Sequence, residues 1–274
     1  MWLVGIRFND RGHLTISSKQ IFGEPMKRRL DISKIAYGAF LVPWWNWRSF
    51  VKALSVPLVV LTVVIQGWRY TWEQLLGWGN WLAWALYGIV FVLCVTTCHR
   101  LALLNVPLIQ IPFFPKWTWR ETRFYLLMIA VLLICAAAGS VALTVVVALL
   151  PRLVEASDEN ILYWIRFAVK FPVLYLFARL SLVFPATAID RKVSLKRAWE
   201  ETTGNGWRLV LVVALLPWVF SQIIGFLYRE EASAMEVFVL TILTCALFAV
   251  EVVALSLSYR ELTQDDNSKL TSSD

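Results

Sequence analysis

Six apolar runs divide this chain, and nothing else in it restricts the fold as strongly. They cover residues 53–70, 78–98, 124–150, 162–189, 209–228 and 235–258. Crossing a bilayer takes about 20 apolar residues in a helix, and each run is near that length. Inside hydrocarbon the backbone must satisfy its own N–H and C=O groups, so a spanning run of this kind is helical. The expected fold is all-α: a polytopic six-helix transmembrane bundle. Composition agrees, since 59% of the 274 residues are apolar and 16% charged, too little polar surface to cover a soluble domain of this size. The 15 tryptophans gather at the ends of the runs (Trp44, Trp45 and Trp47; Trp68, Trp72, Trp78 and Trp81; Trp117 and Trp119; Trp199 and Trp207), as interfacial belts do.

A net charge of +7 suggests nucleic acid only until its distribution is read. Before run one, between runs two and three, between four and five, and after six stand twenty lysines and arginines; the opposite ends hold Arg69, Arg152 and Arg229 alone. That positive-inside bias puts both termini in the cytoplasm and makes the basic balance a topology signal, with no nucleic-acid partner. Cys94, Cys98, Cys135 and Cys245 all lie inside apolar runs, so they indicate neither a disulfide framework nor an oxidising compartment. No cleavable signal peptide is visible, because Lys27–Arg29 is followed by amphipathic sequence.

Three domains follow. Residues 1–30 form an N-terminal cytoplasmic segment that can pair as a hairpin around Asn9-Asp10-Arg11-Gly12, although Met26 competes as the functional start. Residues 31–262 form the membrane domain, and 263–274 a disordered polar tail. Within the membrane domain, Ile32, Ile35, Ala36, Ala39 and Phe40 share one helical face behind a capping Asp31, and Pro43 is expected to end that helix. It reads as the first of two cytoplasmic interfacial amphipathic helices. Residues 101–115 are apolar but carry Pro107, Pro112 and Pro115, too interrupted to span. Thr118-Trp119-Arg120-Glu121 has capping-box spacing and starts the third span. Residues 136–140 are small and suit close helix packing.

The second interfacial helix lies in an elbow between runs four and five. Run four is expected to break at Pro185; Ser194 then caps a short helix with Leu195, Ala198, Trp199 and Thr202 on its apolar face. Lys196/Glu200 and Arg197/Glu201 pair at i,i+4 on the other face, and Gly204 or Gly206 supplies the stop. Lys192, Lys196, Arg197, Gly204 and Gly206 are candidate lipid-headgroup contacts, the turn at 202–206 offering backbone N–H groups to a phosphate. A plain helix stop accounts for the same turn. Trp47-Arg48/Pro57/Arg69/Arg100 and Trp207-Arg208/Pro217/Arg229/Arg260 share an offset of 160 residues, which suggests that spans one–two and five–six are related hairpins.

No zinc, phosphate-loop, dinucleotide or nucleophile-elbow motif is present, so no catalytic residue, metal ligand or cofactor is assigned. With only His13 and His99, a histidine-based site is not expected, and Cys94, Cys98 and His99 read as packing residues. Charges inside the runs point further. Arg166 and Lys170 can snorkel outward from the end of run four. Arg179 lies about 16 Å from Asp190 and Glu251 about 13 Å from Arg260 at ~1.5 Å per helical residue, and the two are expected to form a charge pair inside the bundle.

Three segments, CHRLALLNVP with the later WTWRETRFYLL, RLSLVFPATAIDRKVSLKRAWEETTGNGWRL, and LSLSYREL, lie between residues 98 and 262 and carry a resemblance that covers about residues 31–262. They resemble a group of uncharacterised proteobacterial inner-membrane proteins, itself similar to the membrane domain fused to some glycerophosphodiester phosphodiesterases. The resemblance implies a six-helix inner-membrane protein and supplies no catalytic residues. The expectation is an accessory, scaffold or lipid-organising protein, not an enzyme, whose partners are membrane lipids and a protein partner or a second copy. A permease or lipid-handling transporter using Arg179 and Glu251 is the alternative, and an intramembrane enzyme comes third.

Overall fold

The computed structural model describes residues 4–8, 14–18, 29–71, 78–104, 116–149, 159–227 and 233–270. Strands β1 (Val4–Phe8) and β2 (Leu14–Ser18) pair antiparallel from Val4↔Ser18 to Phe8↔Leu14; the turn joining them lies outside the described residues. All other regular structure is helical. Five stretches are long and apolar enough to cross a membrane: Tyr87–Leu104, Trp119–Val146, Val169–Ala188, Gly206–Leu227 and Met235–Thr263. The chain is a multi-pass membrane protein. The first expected run falls in a further continuous helix, α2 (Trp47–Thr71), where many side chains lie outside the described residues.

Helix α1 (Ile32–Trp45) begins where Asp31 accepts the Lys34 amide at 3.2 Å. The Ser33 hydroxyl, and after it the Lys34 amide, hold the Asp31 carboxyl below the ordinary aspartate range. Pro43 does not end this helix. It removes one hydrogen bond near the last turn, and the stop comes at Asn46, whose backbone and side-chain N–H groups both reach the Val42 carbonyl at 3.1 Å. Ile35 and Ala39 are buried, while Trp44 and Trp45 remain exposed. Helix α1 packs on α10 (Ala234–Leu270).

Helix α3 (Trp78–Leu104) runs past the expected end at Cys98, and residues 105–115 lie outside the described residues. Helix α4 (Trp119–Leu149) starts as the capping box requires, with the Glu121 carboxylate accepting the Thr118 amide at 2.8 Å. Only 11% of its apolar stretch is buried, against 61% of Val169–Ala188; α4 stands at the edge of the bundle and the fourth run at its centre. Among the small residues at 136–140, Gly139 faces Val173, where an added Cβ would lie 3.3 Å from Cγ2.

Helix α5 (Glu159–Leu180) ends five residues before the expected break at Pro185, and the proline explains why. A proline ring clashes with the carbonyl of residue i−4 and donates nothing to it; for Pro185 that residue is Ser181. The chain turns at Ser181-Leu182, the Phe184 amide takes the Ser181 carbonyl at 3.0 Å, and Pro185 sits inside the next short helix, α6 (Val183–Ala188). Every residue from Ala178 to Ala188 is buried. Asp190 then adopts a left-handed φ of 63°. Its amide and that of Arg191 close back on Thr187 and Ala186, a Schellman stop with aspartate in glycine's place.

Ser194 caps α7 (Leu195–Glu201) through the Arg197 amide at 3.2 Å, and Gly204 stops it at φ +83°. The fifth run is three pieces: α8 (Gly206–Leu209), a π-helical turn (Val210–Leu215) and α9 (Leu216–Leu227). Pro217 cannot donate to Val213, and the ladder widens so that the Leu216 amide reaches Leu211. A capping box that the sequence reading passed over opens α10: the Ser233 amide donates to Glu236, and the Glu236 amide to the Ser233 hydroxyl. The tail expected to be disordered from residue 263 is helical to Leu270, since neither glycine nor proline follows Tyr259 to stop it. Residues 271–274 lie outside the described residues.

Two glycines lie at close approaches, with different consequences. A Cβ on Gly38 would meet only the flexible end of Leu257, at 2.8 Å. A Cβ on Gly206 would meet Tyr175 at 2.7–2.9 Å along one edge of its ring. Gly206→Ala should therefore destabilise the protein by about 1–3 kcal/mol. Gly225→Ala, with nothing within 4 Å of the new methyl, should melt like the parent or slightly later. Thermal unfolding in a mild detergent reads both; equal midpoints would contradict the packing described.

Candidate functional site

A lone arginine in an apolar helix needs partners, because an uncompensated charge at depth costs at least a few kcal/mol. Arg179 finds them without meeting an acid. Its Nε donates to Thr202 Oγ1 at 2.8 Å, Nη1 to the Tyr175 hydroxyl at 3.4 Å, and Nη2 to Thr203 Oγ1 at 3.3 Å and to the Trp199 carbonyl. The guanidinium carbon lies 3.5 Å from the centroid of the Trp199 ring, within range of a cation–π contact. The elbow has folded back so that α7 and its stop cap the arginine.

The expected pairing of Arg179 with Glu251 is not made: the guanidinium faces the elbow, and no ion pair joins the two. The depth match applied helical rise all the way from Arg179 to Asp190, and the turn at Ser181-Leu182 removes that premise.

The candidate headgroup contacts divide. Lys192 is exposed, as are Lys196 and Arg197, which form the expected i,i+4 pairs with Glu200 at 3.9 Å and Glu201 at 2.8 Å. Gly204 is exposed at the helix stop, but Gly206 is buried beneath Tyr175. The turn is occupied by the protein itself: Asn205 Oδ1 accepts the Leu30 amide at 2.9 Å and Arg208 donates to the Leu30 carbonyl at 2.6 Å. Nearby, Asp190 lies 3.2 Å from Arg120 and 3.6 Å from Arg100, tying α4 and α3 to the elbow. Asp190 is well exposed, so these pairs contribute little to stability. Lys170 is exposed; the Arg166 side chain lies outside the described residues.

The arrangement most suited to binding lies elsewhere, in a cavity of about 280 Å³ inside the bundle. Each wall is one stripe of a helix at three- or four-residue spacing. Helix α3 supplies Phe91, Val95 and His99; α4 supplies Phe124, Met128 and Leu132; α10 supplies Phe248, Glu251, Val252 and Leu255. Phe177, Phe184 and Val213, the last from the π turn, close it. Leu132 lines the cavity while about half exposed, so the cavity reaches the surface beside α4. The Phe124 and Phe184 rings lie 5.2 Å apart and those of Phe91 and Phe248 5.3 Å.

Two polar groups reach this apolar space. His99 is fully buried, with Nδ1 at 2.7 Å from Ser256 Oγ, a bond between α3 and α10. Glu251 makes no hydrogen bond or ion pair with the described residues, and it also lines a narrow cleft on its other side with Ala36, Phe40 and Pro217. Cys94 and Cys98, neighbours of His99 in sequence, are buried free thiols outside the cavity lining. Sequence reasoning singled out Glu251, read His99 as a packing residue beside Cys94 and Cys98, and passed over the phenylalanines, which form no local motif. The i,i+4,i+8 stripes were the available signal.

No family model, curated protein or solved structure matches this chain.

The Arg179 cage makes a direct prediction. Lysine keeps the charge but presents a single ammonium that cannot span four acceptors or stack as a plane. Arg179→Lys should lower stability by about 2–4 kcal/mol, from charge-assisted hydrogen bonds worth ~1.5–3 kcal/mol each. Trp199→Leu should lose less, about 1–2 kcal/mol. Denaturation midpoints in mild detergent test the order; a lysine variant as stable as the parent would rule out the cage.

Proposed function

We propose that this is a six-span protein of a bacterial inner membrane, with both termini and the elbow on the cytoplasmic side, that binds an amphipathic guest of the bilayer in its internal cavity without catalysing a reaction. Helices α1 and α7 then lie along the cytoplasmic interface, their exposed tryptophans at headgroup depth. The single observation that supports this reading is the cavity itself: phenylalanine-rich, open at Leu132 on the side of the lightly buried α4, and supplied with one unpartnered carboxyl. Ligand sites generally combine a mostly apolar lining with a few placed polar groups. The lipid-organising reading of the sequence and its resemblance to inner-membrane proteins agree with it. Transport is the second reading, favoured by Glu251 standing between the cavity and the cleft beside α1.

The test uses a photoreactive fatty acid in reconstituted bilayers, with adducts mapped by mass spectrometry. Any lipid-facing residue can be labelled, so the informative positions are buried ones that only the cavity exposes, Val95 and Phe124. They should carry adducts, and Val213→Trp, which fills the cavity, should reduce them several-fold while leaving Leu133 labelled. Adducts confined to outward residues in both proteins would contradict the proposal.

A further inference from the structure

The cavity's polar inventory is lopsided. Among the described residues that line it, Glu251 is the one acid, and none is a lysine or arginine. Arg179, the buried cation that could have neutralised that acid, is held by the elbow. Five phenylalanine rings surround the same space: Phe91, Phe124, Phe177, Phe184 and Phe248. A carboxylate in a low-dielectric site attracts cations far more strongly than one in water, and aromatic rings add to that attraction through their quadrupole. His99 is the other polar group of the lining, and its Nδ1 is engaged by Ser256.

We infer that the cavity takes a lipophilic organic cation, an alkyl- or aryl-ammonium with Glu251 as its counter-ion and the phenylalanine rings as its wall. This rests on the amphiphile-binding reading above and narrows it to one ligand class. The ammonium of a zwitterionic lipid is the other source of the same charge, but it would bring a phosphate that no lysine or arginine of the lining could meet. Its headgroup would also have to leave the interface for a chamber bounded by mid-helix residues such as Phe91 and Phe248. The inference therefore commits to a free cation without an attached anion. The volume of about 280 Å³ suits a compact ligand, near the lower end of small-molecule sites.

The discriminating pair of probes is benzyltrimethylammonium and neopentylbenzene, its neutral isostere with carbon in place of nitrogen. Binding to the full chain is measured by calorimetry in detergent micelles, with protein-free micelles as the reference. The cation should bind at least tenfold more tightly than the isostere. Glu251→Gln, which keeps shape and removes charge, should abolish that preference, and Glu251→Asp should retain most of it. Phe248→Leu should weaken the cation several-fold more than the isostere. Because Glu251 has no partner to strand, the glutamine variant should fold like the parent; circular dichroism and the melting midpoint check this, and Phe248→Leu provides a second route if it does not. Equal binding of both probes, unchanged in Glu251→Gln, overturns the cation inference but leaves an amphiphile cavity standing. If neither probe binds and Val95 and Phe124 also escape photolabelling, both readings fall.

Discussion

The guanidinium of Arg179 organises the centre of this protein. A charge buried at that depth is tolerable only if its donors are satisfied, and the acceptors lie in a different segment: Thr202, Thr203 and the Trp199 carbonyl, twenty or more residues downstream. Meeting them forces the chain after α5 to turn back on itself. The reversal takes three local devices, namely the carbonyl clash that Pro185 imposes on Ser181, the left-handed Asp190, and Gly204 at the end of α7. Tyr175 completes the enclosure by donating its ring edge to the space over Gly206. The same turn reaches outward, since Asn205 and Arg208 hold the backbone of Leu30 and so fix the entry to α1.

A consequence for function follows from where the arginine is spent. With Arg179 committed to the elbow, Glu251 stands beside an aromatic cavity with no basic partner among the described residues. A caged arginine and a carboxyl without a partner among the described residues thus coexist in one apolar domain. The π turn contributes to the same end: by widening the helix before Pro217 it places Val213 on the cavity wall.

Much of this was legible in the chain, and the parts that were not share a cause. Apolar length fixed the helices, and side chains that act within one turn were readable: Asp31, Ser194, the Thr118/Glu121 box and the i,i+4 pairs of α7 all act where their spacing placed them. Long-range partnerships were not. Arg179 and Glu251 were matched by depth with helical rise applied all the way from Arg179 to Asp190, and a proline acting four residues upstream of itself removed that alignment. Asp190 hid a helix stop because its sequence lacks glycine. The cavity escaped notice because its walls are ordinary stripes on three helices closed by single residues from three other elements, and only their meeting makes a site. His99 became significant through Ser256, 157 residues away.

The central claim is that Arg179 and Glu251 do separate work. A double-mutant cycle on unfolding free energy, combining Arg179→Met with Glu251→Gln, measures it directly. Independent sites add within about 0.5 kcal/mol. The account predicts a large loss for the arginine variant, little or none for the glutamine variant, and a double variant equal to their sum. A coupling above about 1 kcal/mol, or recovery of stability when the two charges are exchanged, would show that the residues are partners after all.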